Sequence, residues 1–420
     1  MDQKITVGLI GMGEMGRMYA TKLAAGGMCR INVCDRPELY EKLSEEFKDS
    51  PYNVMPNGHY VSRESDFIIY SVEAALVDSI VALYGPSTKV GAIVAGQTSV
   101  KAPEKAAFEK YMPSDVHIVS IHSLHAPSVD SEGQPLIIIQ HRAPDDKVDL
   151  VKQILSPLKS RYVHLSYEEH DTVTANTQAV THIAFMTMGT AWRSIGNFPW
   201  ELGRYIGGLE VVKINLMMRI FSSKWHVYAG LAILNPAARM QIEQFAKSST
   251  ELFKLMISED ERTFRDRVYK ARDFVFGKET QTPLFVSDQV FNKFNMGTIS
   301  DGDKGMRNSH LSLLAIVDCW HQMKIRPHLH LELAATPLYR MWFGVAEYLF
   351  RDSERLETAI KSALFEKDFR SDDAEFVVAA SGWSQCILFG NFDWYEHRFE
   401  HVASFFRPRF EESKKQGTAM

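Results

Sequence analysis

Cysteine is scarce in this sequence, with four residues in 420 (Cys29, Cys34, Cys319 and Cys386) and neither a Cys-x-x-Cys pair nor a framework spacing. That excludes a disulfide-stapled fold and points to reduced, mostly buried thiols in a cytoplasmic protein. Long hydrophobic runs are missing too. No apolar stretch reaches membrane-spanning length, and the charged, polar start Met1-Asp-Gln-Lys4 is unlike a signal peptide. Positive charge is not in excess. A net charge of −5 gives no footing for nucleic acid or an anionic membrane as partner. No internal repeat is visible. Metal-ligand patterns are also wanting: His328 and His330, and His397 and His401, have ligand-like spacing without companion acids or thiols. Asp301-Gly-Asp-Lys-Gly305 begins like a calcium loop but has Ser312 where the closing glutamate belongs. No metal is expected. What remains, at 45% hydrophobic and 24% charged residues, is an ordinary globular composition with length for two domains.

The informative stretch is Ile5 to Arg36. Ile5-Thr-Val-Gly-Leu-Ile10 is an apolar run of strand length, and Gly11-Met12-Gly13-Glu14-Met15-Gly16 follows it directly. A helical pattern comes next, then a second strand, Arg30-Ile-Asn-Val-Cys-Asp35. Strand, glycines, helix and a strand ending in an acid form the setting that a dinucleotide fingerprint requires. The helix N-terminus offers unpaired N–H groups and a positive dipole to a pyrophosphate. Asp35 stands where an acid hydrogen-bonds the adenosine ribose of NAD, whereas Arg36 suits the 2′-phosphate of NADP. These two residues argue in opposite directions, and alone they leave the cofactor open.

Strands continue at 66–72, 90–95, 116–120, 136–140 and 162–165, separated mostly by helical patterns. This alternation predicts an N-terminal Rossmann-type doubly wound sheet over residues 1–167. At Ser166 the texture changes. Ser166-Tyr-Glu-Glu169 has the form of a capping box, and helical periodicity runs on to about Ser194. Helices alone are predicted beyond it, at 209–221, 225–234, 237–256, 261–275, 311–323, 339–351, 355–364, 372–387 and 394–406. The second domain, 168–420, is therefore all-α, with a possible subdivision in the polar loop near 277–305. The Met and aromatic stripe from Phe185 to Trp192 reads as core or subunit interface.

In a doubly wound sheet the ligand lies outside the carboxyl ends of the strands. Ser99 and Lys101 follow one such end, and His122 and His125 another. A histidine there suits proton transfer near neutral pH. Lys101 could reach a substrate or a cofactor phosphate, or be a solvated loop lysine.

Four motifs occur in order: Gly11-Met-Gly-Glu-Met-Gly16, Thr98-Ser-Val-Lys101, Val119-Ser-Ile-His122 and Gln178-Ala-Val-Thr-His182. With the later run Lys213-Ile-Asn-Leu-Met-Met-Arg219-Ile-Phe221, they make the sequence resemble the prephenate dehydrogenases of tyrosine biosynthesis. Its length and helical extension are similar to the fungal form, which uses NADP; the shared core covers roughly the first 235 residues. The resemblance implies oxidative decarboxylation of prephenate to 4-hydroxyphenylpyruvate and CO2, in a homodimer joined through its helical half. It implies that His122 is the catalytic histidine, helped by Ser99. It further implies that Arg219 pairs with a substrate carboxylate, while Gln178 and His182 line the substrate pocket. Many relatives have His-Pro after the histidine; here Ser123-Leu-His125 follows, so His125 is a second candidate imidazole.

Two other readings stand beside it. A two-domain dehydrogenase of β-hydroxy acids usually needs a lysine base on the first long interdomain helix, and no lysine lies between Glu169 and Ser194. A redox sensor that binds NADP without turnover is the alternative from a different class.

Overall fold

The computed structural model describes residues 4–202, 208–277, 308–334 and 336–411. The polar loop near 277–305, including the calcium-like Asp301-Gly-Asp-Lys-Gly305, lies almost wholly outside the described residues. The chain divides into two compact units, Met1–Val173 and Thr174–Met420. The division falls at the end of a short helix, Tyr167–Thr174.

The first unit is an eight-stranded sheet with the order β3-β2-β1-β4-β5-β6-β7-β8. The strands are β1 (Ile5–Ile10), β2 (Cys29–Cys34), β3 (Tyr52–Val54), β4 (Phe67–Tyr70), β5 (Ile93–Gly96), β6 (His117–Ser123), β7 (Pro135–Arg142) and β8 (Arg161–His164). Their apolar runs are continuous rather than alternating because both faces of the sheet are covered. Phe67 and Ile69 enter one core, shared with Tyr19, Leu23 and Val151. Ile68 and Tyr70 enter the other, with Val81 and Phe108. The doubly wound sheet matches expectation. Two details do not. The three-residue strand β3 is too short to carry a periodic signal. β7 runs antiparallel to β6, since the segment between them holds no crossover helix, which a parallel neighbour needs.

The order reverses between β2 and β4, on either side of β1, and the glycine loop leaves β1 at this switch point. Gly11 has φ +104°, and an added Cβ would sit 2.2 Å from the Ser71 carbonyl oxygen. A Cβ on Gly16 would sit 2.1 Å from the Gly11 carbonyl oxygen, so this glycine lets the helix Glu14–Ala25 start hard against the strand end. Gly13, at the helix N-cap, faces open space.

The second unit is helical, as expected. Its long helices include Val180–Ile195, Gly208–Phe221, Trp225–Leu234, Pro236–Ile257, Glu261–Phe276, Leu311–Gln322, Pro337–Phe350, Ser353–Phe365, Arg370–Phe389 and Phe392–Phe406. A short helix His328–Ala334 adds to those read from the sequence. The fully buried Phe185, Trp320, Trp342, Trp383 and Tyr395 anchor one apolar core, so the Phe185–Trp192 stripe is core. Helix starts are locally encoded: the Asn235 side chain accepts from the N–H groups of Ala237 and Ala238, with Pro236 at the first helical position. Among the described residues no helix is long and apolar enough to cross a membrane.

The glycine loop gives a paired test. Gly16→Ala forces a backbone overlap and should lower unfolding free energy by about 1–3 kcal/mol. Gly13→Ala meets nothing and should stay within about 0.5 kcal/mol of wild type. Urea denaturation of both variants checks this, and equal losses would contradict the assigned roles.

Candidate active site

The loop after β1 is tied to the end of β2. The Met12 N–H donates to Asp35 Oδ2 at 2.7 Å, and the Arg36 N–H donates to Asp35 Oδ1 at 2.7 Å. Arg17 fixes the same loop from below, donating to the Met12 carbonyl at 2.8 Å while its guanidinium pairs with Glu46. Met12 and Met15 turn their side chains into the core, so both serve this site through backbone. Glu14 opens the helix from an exposed position. The Arg36 side chain is 76% exposed. The cradle suits a dinucleotide: Gly13 leaves room for a pyrophosphate, the helix N-terminus faces it, and no side chain caps that end.

Thr98 to Lys101 follows β5, and it is held from inside. Lys101 is fully buried; its ammonium donates to Glu104 Oε2 at 2.7 Å, to the Ile121 carbonyl at 2.9 Å and to the Gly96 carbonyl at 3.1 Å. Glu104 Oε1 accepts from the Thr98 N–H at 2.7 Å and the Thr98 hydroxyl at 2.6 Å. Three donors in three bonds leave this lysine nothing for a substrate or phosphate. The expectation that Lys101 binds either is corrected: it is neither a ligand residue nor a solvated loop lysine. Ser99, by contrast, is half-buried, and its hydroxyl has no partner among the described residues.

His122 lies near the carboxyl end of β6 and is 7% exposed. Its Nδ1 is 2.8 Å from Nε2 of His170, whose Nδ1 is 3.0 Å from Asp171 Oδ1. Asp171 in turn accepts from the N–H groups of Lys101 at 2.7 Å and Ala102 at 2.8 Å, at the head of the helix Ala102–Tyr111. Burial, followed by the nearby His170, Lys101 and His125, holds His122 well below its ordinary pKa. Burial and Lys101 do the same to His170. His125 stands in the loop beyond, its Nδ1 2.9 Å from the Ala126 carbonyl. Of the two imidazoles His122 is the one built into the sheet.

Gln178, His182 and Arg219 belong to the second unit. A wide π turn covers Ala175–Ala179 and includes the buried Gln178. Such turns are frequent at functional sites. His182 lies on the following helix, its ring edge-on to Tyr228 with centroids 4.7 Å apart, and burial pushes its pKa down to about 3. Arg219 is exposed near the end of its helix, and its charge reaches the Tyr228 phenol. Tyr228 thus connects His182 and Arg219, a role that its place in an apolar run conceals. At the other end of Arg219's helix, Lys213 pairs with Glu210 at 2.7 Å, and Glu210 also meets His310 at 3.0 Å and Asn308 at 3.1 Å. Asn308 and Ser309 cap the next helix by accepting the N–H groups of His310 and Leu311; Arg307 lies outside the described residues. No group of three or more His, Cys, Asp or Glu residues suited to a metal occurs among the described residues. His330 bonds Asn176, and His397 stacks on His401.

A glycine cradle at the switch point of a Rossmann-type sheet, an imidazole at a neighbouring strand end and a helical second unit define a nicotinamide-dinucleotide-dependent dehydrogenase. Comparison with known proteins narrows the class. Residues 179–420 match the family model of a 6-phosphogluconate dehydrogenase C-terminal domain, in the subtype named for the tyrosine-pathway enzyme. The chain is 52% identical to the "Probable prephenate dehydrogenase [NADP(+)]" of Schizosaccharomyces pombe, covering 100% of this chain and 97% of the relative. It is 50% identical to the "Prephenate dehydrogenase [NADP(+)]" of Saccharomyces cerevisiae, covering 99% and 92%. In fold it resembles the crystal structure of prephenate dehydrogenase from Aquifex aeolicus, at 20% identity and a TM-score of 0.50 over 62% of this chain and 95% of that one. The chain belongs to the prephenate dehydrogenase family.

The relay carries a pH signature. Both histidines have folded-state pKa values below the ordinary 6.5, so between those values the unfolded chain binds protons that the folded chain refuses. Their stability contribution is intact above 6.5 and is lost as pH falls toward the folded values. The difference in urea midpoint between wild type and His122→Asn should be flat above that pH and change below it. A difference independent of pH would refute the buried neutral state.

Proposed function

We propose that this protein oxidatively decarboxylates prephenate to 4-hydroxyphenylpyruvate and CO2 with NADP, as a cytoplasmic homodimer. The observation that carries the reading is identity at about half of all positions, along the whole chain, with two fungal relatives named for that activity. The NADP preference has support within the cradle. Both Asp35 oxygens already accept backbone N–H groups, while the Arg36 guanidinium beside them is exposed and positioned to fork a 2′-phosphate.

His122 accepts the proton of the ring hydroxyl, and Ser99 helps to hold that hydroxyl. Bound NADP supplies the acceptor for the hydride lost from the carbon bearing it. A carbonyl forms there, the ring carboxylate leaves as CO2, and its bonding electrons aromatise the ring. His122 returns its proton to the resulting phenolate, so no net proton is exchanged. Aromatisation drives the loss of CO2 and makes the reaction effectively irreversible without a separate acid. Arg219 binds a carboxylate through its planar guanidinium, and Gln178 and His182 line the pocket. The β-hydroxy-acid alternative is weakened further, because Lys101 is fully engaged and offers no lone pair.

Three variants test this reading by following reduced-nicotinamide formation, and a fourth tests the cradle. His122→Asn should lower turnover by about 10²–10⁴ while keeping NADP affinity. Arg219→Ala should raise the KM for prephenate at least about tenfold, the equivalent of one charge-assisted hydrogen bond. Arg36→Ala should weaken NADP binding and leave NAD binding nearly unchanged, and Gly13→Ala should weaken both. Tight NADP binding without turnover on prephenate or arogenate would point to the redox-sensor alternative instead.

A further inference from the structure

The contacts around His122 fix where its proton resides. An ionised Asp171 can only accept, and it receives two backbone N–H groups from Lys101 and Ala102 as well as facing His170 Nδ1. His170 Nδ1 must then carry a hydrogen, which leaves Nε2 of that neutral ring as a lone pair. That lone pair faces His122 Nδ1 at 2.8 Å, so His122 Nδ1 must be the donor. The remaining nitrogen, His122 Nε2, is left as a bare lone pair, and it has no hydrogen-bond partner among the described residues. The opposite polarity would require a neutral Asp171. Burial pushes Asp171 in that direction, but the two backbone N–H groups and the Lys101 charge oppose it.

We propose that His170 and Asp171 form a positioning relay that locks His122 in the Nδ1–H tautomer and presents its Nε2 lone pair as the proton acceptor. The proposal rests on His122 being the base. His170 touches neither substrate nor cofactor in this scheme; it acts through His122. The groups facing the relay support a neutral resting state. Lys101 lies near both rings, and His125 lies near His122, so a resting imidazolium is disfavoured. When His122 takes up the substrate proton, its Nδ1–H still bonds His170, and the new charge lies in line with the Asp171 carboxylate. The logic is that of a catalytic triad with a second imidazole inserted between base and acid.

The test uses the full chain with prephenate and NADP. His170→Ala should lower kcat at least about tenfold, below the ceiling of about 10⁴ for a triad that loses tautomer control, with KM for prephenate and NADP affinity unchanged. His170→Gln, whose carboxamide oxygen can accept from His122 Nδ1–H, should recover most of the loss. A merely structural role would move affinity and thermal stability together with kcat and would show no such rescue. Should His170→Ala fail to fold, ¹⁵N-histidine spectra of the wild-type enzyme decide. Subtracting the His122→Asn spectrum should show His122 protonated at Nδ1 and bare at Nε2 near neutral pH. An Nε2–H tautomer, or full turnover in His170→Ala, overturns the relay. Full turnover in His122→Asn instead overturns the base assignment on which it rests.

Discussion

The buried ion pair between Lys101 and Glu104 is the constraint on which the first unit's chemistry depends. Both side chains are fully buried, and such a pair survives only where every remaining donor and acceptor is satisfied. Here that condition does the positioning. Lys101 joins the end of β5, through Gly96, to the end of β6, through Ile121. Glu104 gathers Thr98 and, at 3.3 Å, Ser120. The carboxylate lies so close that a Cβ on Gly96 would stand 2.2 Å from Glu104 Cδ. Two strand ends and a helix start are thereby pinned to one point, and that helix start provides the N–H groups that hold Asp171.

The second unit uses charge in the opposite way. Lys213, Glu210 and His310 are gathered in one cluster with little exposure, and Asp373, which accepts from Ser309 at 2.7 Å, is pushed up to about 7 by burial. These charges are spent on one another, so they fix the Gly208–Phe221 helix rather than binding anything strongly. Arg219, on the same helix, is exposed and keeps its guanidinium available. One helix therefore carries a structural cation and a recognition cation. Their environments, not their residue types, tell them apart.

Most of the fold is legible in the sequence because it rests on period and punctuation. Continuous apolar runs mark the parallel strands, and the Ser166 to Glu169 capping box is present as read, with reciprocal bonds of 2.7 and 3.1 Å. The site is less legible. His122 stands at a strand end and can be singled out, but His170 and Asp171 follow directly on the capping box, where polar residues usually mean a solvated first turn. Their burial comes from tertiary contact with a helix start nearly seventy residues earlier in the chain, and no local pattern records that. Lys101 misleads for the same reason. A lysine in a loop after a strand looks free until the acid three residues on proves to be buried with it.

A base held well below its ordinary pKa is a weak base, and weakness ought to cost rate in a proton transfer. Two features of this chemistry reduce that cost. The proton is taken as the hydride departs, when the hydroxyl is becoming a carbonyl and its acidity is rising steeply. Aromatisation then drives the sequence forward whether or not the imidazolium is comfortable. What the reaction needs from the imidazole is therefore less affinity for a proton than a lone pair that is always present and correctly aimed. Burial among other cations secures the first, since His122 stays neutral well below neutral pH, and its fixed neighbours secure the second. The low pKa is thus the consequence of a site organised for readiness rather than for basic strength.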